Sequence, residues 1–467
     1  MRSRRFLLAR TALLSLPVAL ALVASSTVPG SSKVPAEANE GSCTFFVSPS
    51  GSDRNHGRSA REPFGTLEHA QSALRGSRSK VVCLRAGIYP LDEPLMLTAA
   101  DDGETWRYYP DDGVNTAALH GGDRTPRGIE IDGASNVTIN GLSVEHFTTF
   151  GIEAKGGATN VTIENCDVGF LTSKKSPSDA IALSNAPHST ISHNYVHDIS
   201  SFGIAVYAYY AGQSADGDVV TGNVLERVTT AEGDAGAIYT DMFGTGSAGG
   251  YVTISNNYVK DWGGPSGNQH AVYLDDSSSN VTVTGNVFGP PQDVTSTNYS
   301  GTSAIFVHNG NHNTVTGNIV DLGNSGHVVT VNWSQDNTSA SHTMANNTFT
   351  GNIVASSYAG DQKTQQGSTG GPYSYVQNGS VATSDITIQN NIYHNYSTGT
   401  VNTTGNRVGD SHPLLSNPLL SGVSYQLAGN SPAYSTLNFA PIVGGWGPPG
   451  FVVRETGSAP SHALRHR

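Results

Sequence analysis

The amino-acid sequence predicts an all-β protein whose chain winds into a parallel β-helix, a solenoid of stacked coils. Three observations support this fold class: a short strand motif recurs, one asparagine column runs through its copies, and the composition suits strands and turns. Among 467 residues there are 54 glycines, and charged residues make up 13%, about half the usual share of roughly 25%. The interior has few of the Ala-, Leu-, Glu- and Lys-rich runs that favour long helices.

The recurring motif consists of a β-branched strand, a polar two-residue corner and a second apolar step. Its copies lie about 24 to 39 residues apart, a period typical of solenoids. Because stacked strands lie about 4.8 Å apart, equivalent residues of successive coils are expected to be neighbours in space. The copies are VTINGLSV (137–144), VTIENCDV (161–168), STISHNYV (189–196), DVVTGNVL (218–225), VTISNNYV (252–259), VTVTGNVF (281–288), NTVTGNIV (313–320), NTFTGNIV (347–354) and ITIQNNIY (386–393).

One position of the aligned motif holds an asparagine in most copies. An inward column of identical amides can form hydrogen bonds from coil to coil, which predicts a structural Asn ladder. In the first two copies the same position holds Leu142 and Cys166, so Cys166 is predicted to be packed and unreactive. The ladder residues are Asn194, Asn223, Asn257, Asn286, Asn318, Asn352 and Asn391.

The start of the chain predicts export. Arginines at positions 2, 4, 5 and 10 precede the apolar run 11–24, which is too short for a membrane span and typical of a secretory signal peptide. We therefore expect a secreted or periplasmic protein with no membrane span. In an oxidising compartment Cys43 and Cys83 can form a disulfide, although two buried thiols would explain them nearly as well.

The predicted domain organisation and partners follow from these patterns. Residues 1–38 form the signal peptide and a linker, 39–125 an N-terminal cap with the first coils, 126–440 the β-helix and 441–467 a C-terminal tail. The formal charge of −12 argues against nucleic acid, because phosphate binding needs basic patches. It allows a polysaccharide or oligosaccharide as the partner, and we expect a monomer.

A second family of strands lies between the copies of the motif. These strands read AIALSNA (180–186), GIAVYAY (203–209), AIYTDMF (237–243), AVYLDDS (271–277), AIFVHNG (304–310) and VVTVNWS (328–334). Alternation assigns one set of side chains to the interior and the other to the surface. The outward residues form a small row, a row that becomes aromatic at Tyr239, Tyr273 and Phe306, and a polar row. The polar row is Ser184, Tyr207, Asp241, Asp275, His308 and Asn332.

The pair Asp241 and Asp275 is the strongest candidate site in this surface. Two carboxylates at coil spacing repel each other, which raises the pKa of one of them and is typical of catalytic or metal sites. Asp234 precedes the Asp241 strand at a glycine-rich corner, and Asp276 faces away unless a bulge turns it outward. Structural explanations exist too, because aromatic ladders also stabilise stacked sheets and aspartates also begin turns.

At this point the sequence resembles a known family. The stretch FFVSPSGSDRNHGRSAREPFGTLEHAQSAL and the ending HPLLSNPLL…YQLAGNSPAY resemble the first and last coils of the secreted right-handed β-helix proteins related to pectate lyases. DAGAIY and AVYLDDSSSNVTVTGNVF resemble more narrowly the β-helical glycoside hydrolases whose characterised members are fucosidases and xylanases. The resemblance implies a right-handed, single-stranded β-helix. Relatives often carry an arginine where this chain has Asp241 and Met242, a departure that bears on the substrate.

The resemblance also implies a catalytic pair, with Asp234 in DAGAIY and either Asp275 or Asp276 in YLDD. Our first hypothesis is therefore glycosidic bond hydrolysis in which Asp234 and Asp275 act as the pair, while Asp276 and Asp241 tune the acid. No cofactor or metal is expected. The residues predicted to line the sugar subsites are Tyr239, Tyr273, His270, His308, Tyr207 and Trp333.

Two alternatives come from other classes. A polysaccharide lyase abstracts a proton next to a uronate carboxylate, and the four aspartates could then bind Ca²⁺. The outer rows of the six aligned strands hold no lysine or arginine, and Lys174, Lys175 and Lys260 are the basic candidates nearby. A negative groove would also repel a polyuronate. The third hypothesis is a carbohydrate-binding protein without catalytic activity.

Overall fold

The structure is a computed structural model, and the residues that it describes belong to one compact unit that begins at Cys43. The described residues are 43–172, 178–292, 302–326, 328–335, 344–359, 374–376, 381–399, 401, 403, 407–422 and 424–453. The predicted signal peptide and the candidates Lys174 and Lys175 lie outside these ranges. Among the described residues, no helix is long and apolar enough to cross a membrane.

Three parallel sheets form the predicted β-helix, and most coils contribute one strand to each sheet. The strands of the first sheet are Phe45–Val47, Val81–Leu84, Thr105–Tyr108, Thr138–Asn140, Thr162–Glu164, Thr190–Ser192, Asp218–Thr221, Val252–Ser255, Val281–Thr284, Thr314–Thr316, Asn347–Thr350 and Ile386–Gln389. Those of the second are Gly87–Pro90, Ala117–His120, Ser143–Glu145, Asp167–Leu171, Tyr195–Ile199, Val224–Glu226, Tyr258–Lys260, Val287–Phe288, Ile319–Asp321, Ile353–Ser356, Ile392–Asn395 and Leu414–Leu415. Those of the third are Leu95–Thr98, Arg127–Asp132, Phe150–Lys155, Asp179–Ser184, Phe202–Tyr207, Ala235–Asp241, Gln269–Asp275, Ser303–His308, Val329–Ser334 and Ser374–Val376.

Helices are short and lie outside the sheets. The helix Leu67–Arg75 begins at the cap Thr66, whose hydroxyl accepts a hydrogen bond from the His69 amide, and its buried face packs against the first coil. The other helical segments are the α-helix Pro432–Thr436 and the 3₁₀ turns Ala99–Asp101, Pro110–Asp112, Gly246–Gly249 and Thr383–Asp385. A two-stranded antiparallel hairpin joins Leu420–Ser421 to Gln426–Leu427. The fold is therefore almost entirely β-structure, as predicted.

The alternation of β-branched residues explains why the coils stack in register. Side chains that point inward from the first sheet pair with equivalents one coil away, as Ile163 does with Ile139 and Ile191. Each of these side chains is fully buried. A shift of one residue would move the whole apolar set to the surface, so burial fixes the register.

The predicted Asn ladder is present along the corner between the first and second sheets. From Asn194 to Asn352 each side-chain amide donates to the side-chain oxygen of the asparagine in the next coil, over 2.9–3.0 Å. Asn391 ends the row by donating to Asp410 over 2.8 Å. Cys166 occupies the position before Asn194, where its backbone amide donates to the Asn194 oxygen. Burial raises the pKa of the Cys166 thiol to about 12, which agrees with a packed and unreactive thiol.

The two ends of the β-helix are secured differently. At the N-terminal end Cys43 and Cys83 form a disulfide, which decides between the alternatives left open by the sequence. At the other end the chain folds back over the outer face of the second sheet, where Trp446 packs on Tyr258 and Phe451 on Tyr195. Of the predicted tail, residues 441–453 are described and cover this apolar face.

Candidate functional site

The candidate site lies on the outer face of the third sheet, where two neighbouring strands end in aspartate. The strands Ala235–Asp241 and Gln269–Asp275 pair in parallel, with Tyr239 beside Tyr273 and Asp241 beside Asp275. The predicted stacking of the two carboxyl groups is therefore present. Both side chains are largely buried.

Asp275 is the most heavily hydrogen-bonded carboxylate of the site. Its Oδ1 contacts His308 Nδ1 at 2.7 Å and accepts the Asp276 amide at 2.8 Å, while its Oδ2 accepts the Tyr239 hydroxyl at 2.8 Å. Burial alone would raise the pKa of Asp275, but these contacts and the charge of His308 outweigh it and lower the pKa. Asp275 is therefore ionised at neutral pH.

Asp241 contacts the same tyrosine as Asp275, but its pKa is shifted in the opposite direction. The Tyr239 hydroxyl oxygen lies 3.3 Å from Asp241 Oδ2, and the Phe243 amide donates to Asp241 Oδ1 over 2.9 Å. Burial, together with the negative charge of Asp275, raises the pKa of Asp241 to about 7. A hydroxyl has one proton, so while Tyr239 donates to Asp275, a protonated Asp241 can donate to the Tyr239 oxygen.

Asp276 lies on the same side as Asp275 because the backbone turns sharply at the end of the strand. Its φ angle is 21° and that of Ser277 is 65°, so the alternation of faces stops here. Ligand atoms of Asp275, Asp276 and His308 lie within 4.8 Å of one another. This trio offers two carboxylates and an imidazole, a donor set that could hold a divalent cation.

Asp234 lies one coil from Asp275 and belongs to the same surface. Its φ of 58° reflects the corner before the strand, and its side chain is exposed. Asp234 Oδ1 accepts the Tyr273 hydroxyl at 3.1 Å and the Asn268 amide at 2.5 Å. Desolvation and the charge of Asp275 raise its pKa. Each tyrosine thus donates to the carboxylate of the other coil, Tyr239 to Asp275 and Tyr273 to Asp234.

The aromatic row predicted to bind sugar is buried. Tyr239, Tyr273 and Phe306 do point outward, but they are only 6%, 2% and 4% exposed and form a small hydrophobic cluster on the sheet. His270 is fully buried as well, and its Nδ1 lies 2.9 Å from the Ser303 hydroxyl. Burial lowers the pKa of His270 to about 3. These four rings therefore pack beneath the polar groups of the site, and their faces are not accessible to a ligand.

Two expectations for the strand Val329–Ser334 were wrong. Trp333 pairs with Val307 and lies in the interior core, so it does not line the outer surface. Asn332 pairs with Phe306, and Ser334 takes the place beside His308. The strand is shifted by two residues from the alignment that the sequence suggested. Such a shift keeps every side chain on its face, so alternation could not reveal it.

The outer rows also contain basic residues that the six aligned strands did not include. Lys155 lies in the row of Asp241, three strands earlier, and forms an ion pair with Glu130. Arg127 bonds Glu153 over 2.9 Å on the same face. The expectation of rows without lysine or arginine therefore holds for the six aligned strands that it covered, and the basic residues lie in earlier strands of the same sheet. Lys260 lies in the second sheet and pairs with Glu226.

Tyr207 connects the site to its N-terminal neighbours. It lies beside Asp241 in the polar row, and its hydroxyl donates to Asp179 Oδ2 over 3.0 Å. Asp179 is fully buried, and this burial raises its pKa to about 8. Asp179 pairs with Phe202 and lies outside the polar row, so the Tyr207 hydroxyl links the row to a second buried carboxyl group.

The sequence interpretation missed the exposed aromatic residues at this edge of the sheet. Tyr209, Tyr210 and Phe243 follow the strands that end in Tyr207 and Asp241, and they are 37%, 67% and 43% exposed. Their signal was present in the segments AYYAG and DMFG. Tyr209 and Phe243 hold the same last outward position in the aligned strands 203–209 and 237–243, so alternation predicts that these two rings are neighbours, whereas Tyr210 lies beyond the aligned strands.

Comparisons with known proteins agree with the fold. The family model described as "Right handed beta helix region" matches residues 127–291, whereas comparison with curated proteins finds no match. Pectate lyase Pel9A is 13% identical with a TM-score of 0.51, and the alignment covers 84% of this chain and 92% of that one. The complex of XylC with xylose is 10% identical with a TM-score of 0.50, and the coverage is 81% and 87%.

A third structure, the PL6 family alginate lyase AlyGC, is 14% identical with a TM-score of 0.51. That alignment covers 84% of this chain and 59% of AlyGC. The chain therefore has the right-handed β-helix fold of the pectate-lyase-like proteins. The similar structures found by the comparison are carbohydrate-active enzymes of several kinds.

Proposed function

We propose that this protein is an exported enzyme that hydrolyses glycosidic bonds of a polysaccharide or oligosaccharide, with Asp241 and Asp275 as its two catalytic carboxyl groups. The observation that supports this most strongly is that the two side chains stack on adjacent strands and share the hydroxyl of Tyr239. In glycoside hydrolases a pair of carboxyl groups flanks the bond that is broken.

The opposite pKa shifts of the pair suggest which group has which role. Asp241, with its raised pKa, would protonate the leaving oxygen, and the ionised Asp275 would attack the anomeric carbon or activate water. This assignment replaces Asp234, the member of the pair that the family resemblance implied, by Asp241, which was expected to tune the acid. Adjacent strands lie about 4.8 Å apart, close to the roughly 5–5.5 Å of retaining enzymes. We therefore propose retention of configuration.

Asp234 would then act at the edge of the site. Its exposed carboxyl group, fixed by Tyr273 and Asn268, can accept hydrogen bonds from sugar hydroxyls. Export is supported by the basic and apolar start of the chain and by the Cys43–Cys83 disulfide, which is typical of oxidising compartments.

A second candidate reaction is β-elimination, and one observation favours it. The 2.7 Å contact between Asp275 and His308 Nδ1 orients the imidazole, which in its neutral form would act as the base, and the adjacent carboxylates of Asp275 and Asp276 could hold Ca²⁺. Against it, the described residues next to Asp275 include three further aspartates, Asp234, Asp241 and Asp276, but no lysine or arginine to neutralise a uronate carboxylate.

A panel of neutral and acidic polysaccharides, digested with and without EDTA, distinguishes the candidates. Hydrolysis releases reducing ends without ultraviolet absorbance, withstands EDTA and disappears in Asp275→Asn and Asp241→Asn variants that keep the wild-type melting temperature. Products that absorb in the ultraviolet, or full activity in Asp275→Asn, would overturn the hydrolase assignment. Binding without any product would identify the protein as a carbohydrate-binding β-helix.

A further inference from the structure

Three exposed rings form a continuous surface next to the catalytic pair. We call Tyr209, Tyr210 and Phe243 the aromatic platform. The rings of Tyr209 and Phe243 stack with centroids 5.3 Å apart and planes 21° apart, and Tyr210 packs edge-on against Tyr209 at 4.9 Å. Large exposed apolar side chains that cluster in this way typically mark a binding site.

The platform is held in place by the backbone of two adjacent turns. The Ala208 amide donates to the Asp241 carbonyl over 2.9 Å, and the Gly244 amide donates to the Tyr209 carbonyl over 2.7 Å. A Cβ on Gly244 would lie 2.5 Å from that carbonyl oxygen, so only glycine allows the turns to approach this closely. The Thr245 hydroxyl adds a bond of 2.8 Å to the Ala208 carbonyl.

The platform is also tied directly to the catalytic pair. The backbone amide of Phe243 donates to the Asp241 carboxyl group over 2.9 Å, so the residue that supplies one ring also fixes the acid. Desolvation and the negative charge of Asp241 raise the pKa of the Tyr209 hydroxyl, which agrees with a phenol close to the carboxyl groups.

We infer that the aromatic platform binds one ring of a neutral sugar chain, immediately beside the bond that Asp241 and Asp275 cleave. This inference rests on the proposed function and adds the subsite and the charge class of the substrate. Flat aromatic faces pack against the apolar face of a pyranose, and the neighbouring carboxylates accept hydrogen bonds from its hydroxyls. A uronate would bring a second negative charge toward Asp234, Asp275 and Asp276.

A sugar ring fits the size of the platform better than a protein does. Stable protein interfaces bury about 800 Å² on each partner, whereas three partly exposed rings offer only part of the roughly 150–250 Å² that each aromatic side chain can bury. The platform also lies next to the hydrogen-bonding groups of the site. A sugar can contact both at once, because it has an apolar face and hydroxyl groups.

The test compares Tyr210→Ala and Phe243→Ala with the control Tyr396→Ala. Tyr396 is also an exposed aromatic residue, at 45%, but it follows the strand Ile392–Asn395 in the second sheet, five coils from Asp241. Dissociation constants are measured by calorimetry in an Asp275→Asn background, so that the ligand stays intact. The probes are xylohexaose, mannohexaose and cellohexaose, with hexagalacturonate as the acidic comparison, and KM and kcat are measured in the active chain.

We expect Tyr210→Ala and Phe243→Ala to weaken binding of the best neutral probe by about fivefold, because loss of one aromatic contact corresponds to roughly 1 kcal/mol. KM should rise with little change in the melting temperature, Tyr210→Trp should restore binding, and Tyr396→Ala should bind like the parent. Unchanged binding in both platform variants, or tightest binding of hexagalacturonate, would overturn the inference. If binding depends on the platform but the active chain cleaves none of the probes, the proposed hydrolase function is wrong and the sugar-binding role of the platform is kept.

Discussion

Replacing Tyr239 by phenylalanine removes one hydroxyl from the centre of the site and leaves the ring in place. The ring packs against Phe202 and Tyr273 at 4.5 and 5.3 Å between centroids, and phenylalanine preserves these contacts. The lost hydroxyl donates to Asp275 Oδ2 over 2.8 Å. A hydrogen bond to a charged group contributes about 1.5–3 kcal/mol. Since one pKa unit corresponds to about 1.4 kcal/mol, the pKa of Asp275 should rise by about one to two units.

This rise should be visible in activity and in stability. Asp275 must be ionised to act, so the acidic limb of the pH profile of kcat/KM should move upward by about one to two pH units. The lowered pKa of Asp275 stabilises the folded state above the pKa of the unfolded chain, and that stability is lost as the pH falls through the folded pKa. The destabilisation caused by Tyr239→Phe should therefore be largest at neutral pH and shrink in acid.

Tyr207→Phe is the matched control, because its hydroxyl donates to Asp179 instead. The measurements are the pH dependence of kcat/KM on the best substrate and urea unfolding across the same pH range. An acidic limb that stays in place in Tyr239→Phe, or one that moves equally in Tyr207→Phe, would refute the role of the shared hydroxyl.

Two predictions concern the fold. Asn257→Ala removes the amide that donates to Val220 and Asn286 and the oxygen that accepts from the Asn223 backbone amide. Because buried groups lose their partners, urea unfolding should show a free energy of unfolding lower by about 3 kcal/mol. A decrease below about 1 kcal/mol would contradict the ladder's structural role. Reduction of the Cys43–Cys83 disulfide opens a loop of 40 residues and should lower the unfolding free energy by about 4 kcal/mol; equal stability with and without dithiothreitol would contradict this.

The sequence predicted the fold in detail because residues at equivalent positions of successive repeats become spatial neighbours in a solenoid. Once the copies were aligned, the Asn ladder and the pairing of Asp241 with Asp275 followed from stacking alone. Both depend on interactions between equivalent residues of neighbouring coils, which the repeat encodes.

The remaining features depend on information that the repeat does not contain. The two-residue shift at Asn332 preserves the alternation of faces and is fixed by packing. The burial of Trp333 in the core, by contrast, already follows from alternation with the outward Asn332. Tyr273 is buried because its ring packs against those of Tyr239, His270 and Phe306 on the outer face of the sheet. Asp276 joins the site through a backbone turn at φ 21°, and Tyr210 of the aromatic platform lies in a turn beyond the aligned strands, where neither period applies.

The most direct test of the central claim is digestion of the best substrate in water enriched in the heavy oxygen isotope, followed by mass spectrometry of the products. Hydrolysis by Asp241 and Asp275 predicts one heavy oxygen atom at each new reducing end, and no product from Asp275→Asn. Products whose summed mass equals that of the substrate, with no water added and no heavy oxygen, would show elimination and contradict the account.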